Sequence, residues 1–349
     1  MPTIKRFHPG IYIKDSLEAM EMTSKEFSLR TGISERILSS IINGKCSITF
    51  EVAYKLSKFF DNSIDVWTNL QTQYDMYLHE TEIEKELDDD WNLVKNIKKY
   101  LIDHNYIDEN DKKEIIVEKV RRLVGVNNLT LLNNKDSFVC FKEQQNNGDN
   151  YFYQNFWVAL AIKEARKKKN NSFNSKLLKS YISEMRNLTT KSQEEFIPRL
   201  IEIFEECGVS FVLLPYLTKS YIYGVTKWLG KDNVMLAVSN KSEKADLFWF
   251  TIFHELSHVL MEHRRETLIS VEGRIDEEAN EMAKNILIPK EEWNDFVSKR
   301  NFSEISIKKF AGKINILPCI VLGRLHKELP DIVPYGMYDK EFNVSYNIN

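Results

Sequence analysis

Apolar residues in the first 75 positions recur three or four residues apart, the spacing of one face of a helix. Thr23, Ser34 and Thr49 stand directly before three of these apolar segments, and hydroxyl side chains at such positions cap first turns. Gly32 ends another segment and suits a helix C-terminus. The pattern predicts five short helices, two of them joined by a tight glycine-containing turn as in a helix-turn-helix.

Residues 76–195 keep the helical spacing but give few other signals. Val94, Ile97 and Leu101 lie on one predicted helix face. The acidic run at 80–90 predicts a solvated linker or the start of a helix. We expect this region to be a helical connector that packs on its neighbours.

After residue 196 a predicted helix leads into three short apolar runs, at 209–214, 221–228 and 234–238. These runs are rich in β-branched and aromatic side chains, which is typical of strands. The whole pattern predicts an α+β, mostly helical chain in three parts. They are a five-helix helix-turn-helix domain at 1–75, a helical connector at 76–195, and a domain with a small β-sheet at 196–349.

The predicted helix after these strands contains His254, Glu255 and His258 in the order His-Glu-x-x-His. On a helix, positions i and i+4 share a face, so both imidazoles can bind one tetrahedral Zn²⁺. Such an ion lowers the pKa of its bound water to about 7, and Glu255 could act as the general base. The alternative is a pair of core histidines hydrogen-bonded to backbone. A buried glutamate between them is costly without a compensating cation.

A zinc site of this kind needs a third protein ligand. His263 is one candidate, but the spacing of the zinc peptidases that use a third histidine is absent. A later predicted helix has an apolar stripe that includes Ala279 and Met282, and Glu278 borders that stripe. The helical wheel therefore favours Glu278. The alternative is an exposed carboxylate at a helix N-terminus.

The strand predicted at 221–228 is a candidate edge strand that could pair with an extended peptide. Its peptide-binding residues would be Tyr223, Gly224 and Val225, with Gly224 allowing a close approach. An ordinary sheet strand is an equally good interpretation.

The composition restricts the possible classes of protein but does not indicate a function. The net charge of -3 gives no general attraction to nucleic acid, so any DNA binding needs a local patch. No run of about 18 apolar residues exists, so we expect no membrane span, and the N-terminus lacks the apolar segment of a signal peptide. The four widely spaced cysteines predict reduced thiols in a cytoplasm. They are Cys46, Cys140, Cys207 and Cys319.

The pattern from residue 23 to residue 60 resembles the phage-repressor-like (XRE) helix-turn-helix family, particularly its antitoxin-type regulators. The resemblance implies a recognition helix at 34–43 that enters the major groove of operator DNA as part of a homodimer. It implies base contacts by Glu35, Arg36 and Ser40, and phosphate contacts by Ser34, Asn43 and Lys45. Residues 1–75 hold nine basic and nine acidic side chains. A dimerisation or docking module without DNA is therefore the alternative.

The segments at 250–258, 278–280 and 287–289 read Phe-Thr-Ile-Phe-His-Glu-Leu-Ser-His, Glu-Ala-Asn and Leu-Ile-Pro. They resemble the ImmA/IrrE metallo-endopeptidase family, and the segments at 224–228 and 248–251 look like its variety fused to an antitoxin-type regulator. The resemblance implies a zincin-like α+β domain. It also implies His254, His258 and Glu278 as Zn²⁺ ligands and Glu255 as general base. Family members typically cleave a cognate DNA-binding repressor.

These features together predict a cytoplasmic regulator that binds double-stranded operator DNA and carries a zinc endopeptidase. Its substrate would be a partner regulator or a toxin-system protein, and no membrane is involved. One alternative is a non-catalytic antitoxin or transcription factor whose zincin domain binds a toxin or ligand. Another is a sensor in which zinc alters DNA affinity.

Overall fold

A computed structural model describes residues 6–134, 150–168, 171–262, 267–271 and 276–346. The chain divides into two compact units, Met1–Trp91 and Asn92–Asn349, called unit 1 and unit 2 below. The α+β, mostly helical class predicted from the sequence is confirmed. The three-part division at residues 75 and 195 stays a prediction.

Unit 1 is helical in its described part. Its helices are α1 (Gly10–Ala19), α2 (Ser24–Thr31), α3 (Glu35–Ile42), α4 (Phe50–Phe59) and the start of α5 (Ile64–Asp103). The predicted caps are present: the hydroxyls of Thr23, Ser34 and Thr49 accept hydrogen bonds from backbone N–H groups three residues on. Gly32 ends α2 with a positive φ of 66°, a conformation that glycine adopts without strain.

A glycine sets the distance between α1 and α3. A side-chain carbon built on Gly10 would lie 1.9 Å from the carbonyl oxygen of Ile41. The two helices therefore touch backbone to backbone, around a core that includes Ile13, Phe27 and Leu38.

The acidic run at 80–90 lies inside α5, so the predicted linker or helix start is wrong. Glu, Lys and Leu all favour helix, and the run contains no Gly or Pro to interrupt it. Most of its charged residues are exposed, although Asp90 is buried, and their charge does not mark a break in the helix.

Unit 2 surrounds a small sheet with helices. The helices after α5 are α6 (Lys113–Val124), α7 (Tyr151–Lys167), α8 (Ser175–Leu188), α9 (Gln193–Glu206), α10 (Ala245–Leu260), α11 (Glu277–Leu287), α12 (Lys290–Ser298), α13 (Glu304–Ile314) and α14 (Pro318–Glu328), with a short 3-10 helix at Leu129–Asn133. The strands are β1 (Val209–Leu214), β2 (Ile222–Trp228), β3 (Val234–Ser239) and β4 (Thr267–Val271).

In the described residues the strand order is β1-β3-β2-β4. β1 pairs with β3 in parallel, and β2 is antiparallel to both β3 and β4. The three predicted strands are present, whereas β4 was not predicted. The prediction that β2 is an edge strand is wrong, because β3 and β4 occupy both of its sides.

Helix α10 packs on β2, β3 and β4, and α11 and α14 pack on α10. Thirteen of its sixteen residues are buried, as the apolar sequence predicted. Helix α7, which falls in the predicted connector, also contributes, since it packs on β1 and β3, and α9 packs on β1. Helix α10 therefore lies between the sheet and the helices α11 and α14.

Two smaller expectations can be compared with the fold. Cys46, Cys207 and Cys319 are free thiols, with Cys46 exposed, and Cys140 lies outside the described residues. None of the described helices has the combined length and hydropathy that a bilayer crossing requires.

Candidate functional site

The two histidines of α10 face each other on one side of the helix. Their Nε2 atoms are 3.2 Å apart, and their rings are nearly perpendicular, at 84°. Both side chains are buried, His254 at 7% and His258 at 2% exposure. The i, i+4 spacing read from the sequence therefore does bring both rings to one point.

This separation of the nitrogens fits a shared metal ion. Two nitrogens bound to tetrahedral zinc at about 2.0–2.1 Å lie about 3.3–3.4 Å apart. Asn280 supplies a second constraint, because its Oδ1 lies 2.9 Å from Nδ1 of His254. An amide oxygen accepts from an N–H, so Asn280 keeps the proton on Nδ1 and leaves Nε2 as the ligand atom.

The carboxylate of Asp276 lies beside the pair. Its Oδ2 lies 3.9 Å from Nε2 of His258, and its Oδ1 caps α11 by accepting from the N–H of Ala279 at 3.2 Å. Asp276 and Asn280 are four residues apart and share a face. Glu278 lies two residues from Asn280, is exposed, and makes no ion pair with either histidine in the described part of the chain. The structure thus brings His254 and His258 together with Asp276 but not with Glu278.

Glu255 points toward the sheet. Its Oε2 accepts a hydrogen bond from the hydroxyl of Thr226 at 2.7 Å, and its Oε1 accepts one from the hydroxyl of Ser270. The residue is fully buried. Hydroxyl groups from β2 and β4 thus compensate a carboxylate that would otherwise be costly to bury.

Gly224 provides the space for this carboxylate. It is the cross-strand partner of Ser270 and lies two residues from Thr226, on the same face of β2. A side-chain carbon built on Gly224 would lie 2.7 Å from both Cγ and Oε1 of Glu255. The glycine does allow a close approach, as the sequence suggested, but the approaching group is Glu255.

Peptide pairing at Tyr223, Gly224 and Val225 is blocked, because their strand is hydrogen-bonded to neighbours on both sides. In the described sheet, β4 is the edge strand next to α10.

No cluster of three or more His, Cys, Asp or Glu side chains in the described ranges has the arrangement of a metal site. The distance from Asp276 to His258, 3.9 Å, is longer than expected for two groups that share an ion. His263 lies outside the described residues.

The six predicted DNA-contacting residues lie on or beside α3. Ser34, Glu35, Arg36, Asn43 and Lys45 are exposed, and Ser40 is half-buried. Two of them bond their own helix: Ser40 donates to the carbonyl of Arg36 at 2.9 Å, and Asn43 to that of Ser39 at 2.7 Å. The exposure is compatible with DNA contact, which stays a prediction.

Sequence reasoning missed Thr226, Ser270, Asn280 and Asp276 as members of the site. Asn280 and Asp276 had a signal, since they are four residues apart and so share a helix face. The two hydroxyl residues had none, because their role depends on the pairing of β2 with β4.

The fold and the site define a helix-turn-helix regulator joined to a metallopeptidase-like domain. The helix-turn-helix model matches residues 13–67, and the model of the IrrE N-terminal-like domain, peptidase family M78, matches residues 212–311. The chain belongs to the family of helix-turn-helix transcriptional regulators and carries an IrrE N-terminal-like domain toward its C-terminus.

Two curated relatives match short stretches of the chain. The virulence-associated protein A' of Dichelobacter nodosus is 40% identical over 70 residues, which are 20% of this chain and 61% of that protein. The HTH-type transcriptional regulator YddM of Escherichia coli, described as uncharacterized, is 32% identical over 80 residues, 23% of this chain and 81% of that protein.

Among solved structures, an addiction module antidote protein of a HigA family from Coxiella burnetii is 28% identical. The match covers 25% of this chain and 95% of that one, with a TM-score of 0.24.

Proposed function

We propose that this chain is a DNA-binding regulator whose unit 2 is a zinc-dependent endopeptidase acting on a partner regulator or a toxin-system protein. The observation that carries the proposal is the pair of Nε2 atoms 3.2 Å apart on a buried helix, with a glutamate next to them in sequence. The match to the IrrE N-terminal-like domain supports it.

His254 and His258 are the proposed zinc ligands, and Asp276 is better positioned than Glu278 to be the third. When bound, zinc supplies Lewis-acid polarisation of a carbonyl oxygen and of a water molecule. Asn280 keeps the ligand nitrogen of His254 unprotonated. Asp276 caps α11 through its Oδ1, and its Oδ2 lies toward His258.

Glu255 is the proposed general base. The hydroxyls of Thr226 and Ser270 stabilise its charged form, and Gly224 leaves the space that the carboxylate occupies. Each carboxylate oxygen has a second lone pair, so Glu255 can accept a hydrogen bond from a water molecule while both hydroxyls stay bound. The residues of the sheet therefore hold the base in position and limit its movement.

Unit 1 is the proposed DNA-binding part, acting in the cytoplasm as a homodimer on two half-sites of an operator. Glu35, Arg36 and Ser40 would contact bases, and Ser34, Asn43 and Lys45 would contact phosphates. The match to the helix-turn-helix model supports this assignment.

Metal content and fragment formation test the peptidase. Purified full-length protein is expected to hold about one zinc per chain, and His254→Ala and His258→Ala to hold much less. Asp276→Asn and Glu278→Gln identify the third ligand by which of them lowers zinc affinity by more than the roughly tenfold to hundredfold that loss of an outer-shell partner costs. Glu255→Gln is expected to keep its zinc and lose cleavage of the partner proteins. Cleavage by Glu255→Gln would rule out this base.

A second candidate is a non-catalytic zinc sensor or toxin-binding domain. It is favoured by the position of Glu255, which is fully buried and held toward the sheet by hydrogen bonds from Thr226 and Ser270. The two functions differ in how DNA responds to metal. A sensor changes its affinity for DNA fragments selected from a random duplex library when a chelator is added, whereas a peptidase with an independent DNA-binding unit does not.

A further inference from the structure

Unit 2 contains a cavity of about 170 Å³ between α10, α11 and α14. Its walls are mostly carbon, from Leu247 and Phe250 on α10, Leu287 at the end of α11, Ile288 directly after it, and Ile320 on α14. Cavities of about 150 Å³ with such walls accept a six-carbon ring. The volume therefore suits one apolar group of the size of a leucine, methionine or phenylalanine side chain.

The cavity begins one helical turn from the histidine pair. Helices α10 and α11 run antiparallel, since Asp276 lies near His258 and Asn280 near His254. Phe250 lies four residues before His254 on α10, and Lys284 lies four residues after Asn280 on α11. Because the helices are antiparallel, both residues lie one turn away in the same direction, and both line the cavity. The Phe250 ring centroid is 6.3 Å from that of His254. One turn rises about 5.4 Å, roughly the reach of one or two residues of an extended peptide.

The two ends of the cavity differ in charge. Lys327 lies near Phe250, with Nζ 5.7 Å from the ring centroid, and makes no ion pair among the residues that the structure describes. The other cationic wall residues are paired, Lys284 with Glu281 and Glu328, and Arg324 with Glu328.

At the opposite end, Asp246 faces Gly323. Burial raises the pKa of the Asp246 carboxyl, which disfavours negative charge there. An occupant with an apolar body and a negative end would therefore direct that end to Lys327.

We infer that this cavity is a side-chain subsite of the metal site. It takes an apolar side chain of leucine, methionine or phenylalanine size, from a peptide residue next to an aspartate, a glutamate or a terminal carboxylate. The inference rests on the proposed peptidase function and adds to it the class of peptide selected.

Two substitutions test the subsite without disturbing the core. Leu247→Asp places a charge on the apolar wall, and Leu247 is 41% exposed in the first turn of α10, where an acid is favourable. Lys327→Glu reverses the charge at the cationic end. Matched controls are Ile305→Asp, an exposed residue in the first turn of α13, and Lys309→Glu, an exposed lysine on α13.

A binding measurement tests the subsite without turnover. Metal-free full-length protein is titrated with 4-methylpentanoic acid, and the methyl resonances of Ile288 and Ile320 are followed by NMR. Saturable shifts are expected, with a dissociation constant on the order of 1 mM and weaker binding of the uncharged amide. Leu247→Asp and Lys327→Glu should each weaken binding at least fivefold, and the controls should not. The absence of a saturable shift at both methyls overturns the inference.

A cleavage measurement then separates the subsite from the peptidase. Zinc-loaded protein is incubated with a random peptide library, and the cut sites are sequenced. Leucine, methionine or phenylalanine is expected beside the scissile bond, about tenfold to a hundredfold over alanine, and Leu247→Asp should reduce that preference. Cleavage without any apolar preference overturns the inference alone. Probe binding without any cleavage supports the cavity as a binding site and counts against the peptidase.

Discussion

Among single residues, Glu255 has the most constrained surroundings. Its carboxylate lies where Gly224 has no side chain, between the hydroxyls of Thr226 and Ser270. Three positions on two strands therefore determine where one charged group can lie, and each can be changed separately.

Gly224→Ala is expected to displace the Glu255 carboxylate, since the added carbon would lie 2.7 Å from its Oε1. Overpacking of this kind costs about 1–3 kcal/mol of unfolding free energy, and a displacement of about 1 Å can lower a rate about a hundredfold. Urea denaturation and peptide cleavage measure the two effects. Gly230→Ala is the control, because no atom lies within 4 Å of its added carbon. Equal effects of the two substitutions would contradict this account.

Thr226→Val removes one donor to a buried carboxylate at nearly constant volume. Hydrogen bonds to charged groups contribute about 1.5–3 kcal/mol, so the free energy of unfolding should fall by about that amount. Thr226→Ser keeps the hydroxyl and should lose less. Denaturation of both variants in urea is the measurement, and an unchanged midpoint for the valine variant would show that the bond contributes little.

His8 gives unit 1 a pH dependence. Burial lowers its pKa, by more than the nearby Asp75 carboxylate and a hydrogen bond to the backbone of Cys46 raise it. The neutral ring also accepts the N–H of Gly10 at 3.0 Å, which a protonated Nδ1 cannot do. The folded state thus binds the proton less readily than the unfolded state, so stability is full above about pH 6.5 and falls below it.

Urea unfolding at pH 7.5 and pH 5.5, followed through NMR signals of α1 and α3, measures this dependence. The midpoint for unit 1 should be lower at pH 5.5, and the difference should shrink in His8→Asn. A midpoint that rises on acidification would contradict the sign.

Among the elements, α1 and α3 touch backbone to backbone at Gly10. Gly10→Ala would bring a carbon to 1.9 Å from the carbonyl oxygen of Ile41, and backbone cannot move as a side chain does. We expect a loss of about 3 kcal/mol or more for unit 1, together with weaker DNA binding because α3 is displaced. Gly32→Ala, which strains only a positive φ, should cost about 1 kcal/mol. Thermal unfolding of both variants compares the cost of overpacking, in Gly10→Ala, with the cost of backbone strain, in Gly32→Ala.

How well an element could be predicted depended on how local its determinants are. The N-terminal caps and β1 to β3 could be located because hydroxyls, glycines and apolar runs act over a few residues. β4 was missed because it is short and its pairing partner is about 45 residues away. Asp276 was missed because the helical wheel treated residues 275–287 as regular helix, whereas Asp276 is the N-cap of α11 and lies outside the regular helix.

At the scale of the whole molecule, zinc should stabilise the unit that holds its ligands. A ligand at one hundred times its dissociation constant adds about 2.7 kcal/mol to the folded state. Calorimetry should therefore show a higher unfolding temperature for unit 2 with zinc than with chelator. His254→Ala should abolish this difference. If zinc shifted only the transition of unit 1, the ligand assignment would be wrong.

The division of the chain into two units could be predicted from sequence more easily than its boundary. The helix-turn-helix pattern and the His-Glu-x-x-His segment lie far apart, which indicates separate parts. The boundary between units falls within α5, a continuous helix with no Gly or Pro. No local signal in the sequence could therefore mark it.

Ser270 connects two features of the domain. Its hydroxyl donates a hydrogen bond to Glu255, and it belongs to β4, an edge strand of the described sheet. The outer backbone groups of a border strand are available to another extended segment. A chain that aligned itself there would contact the same strand that steadies the proton acceptor. Binding of that polypeptide and the position of the Glu255 carboxylate would then both depend on the five residues of β4.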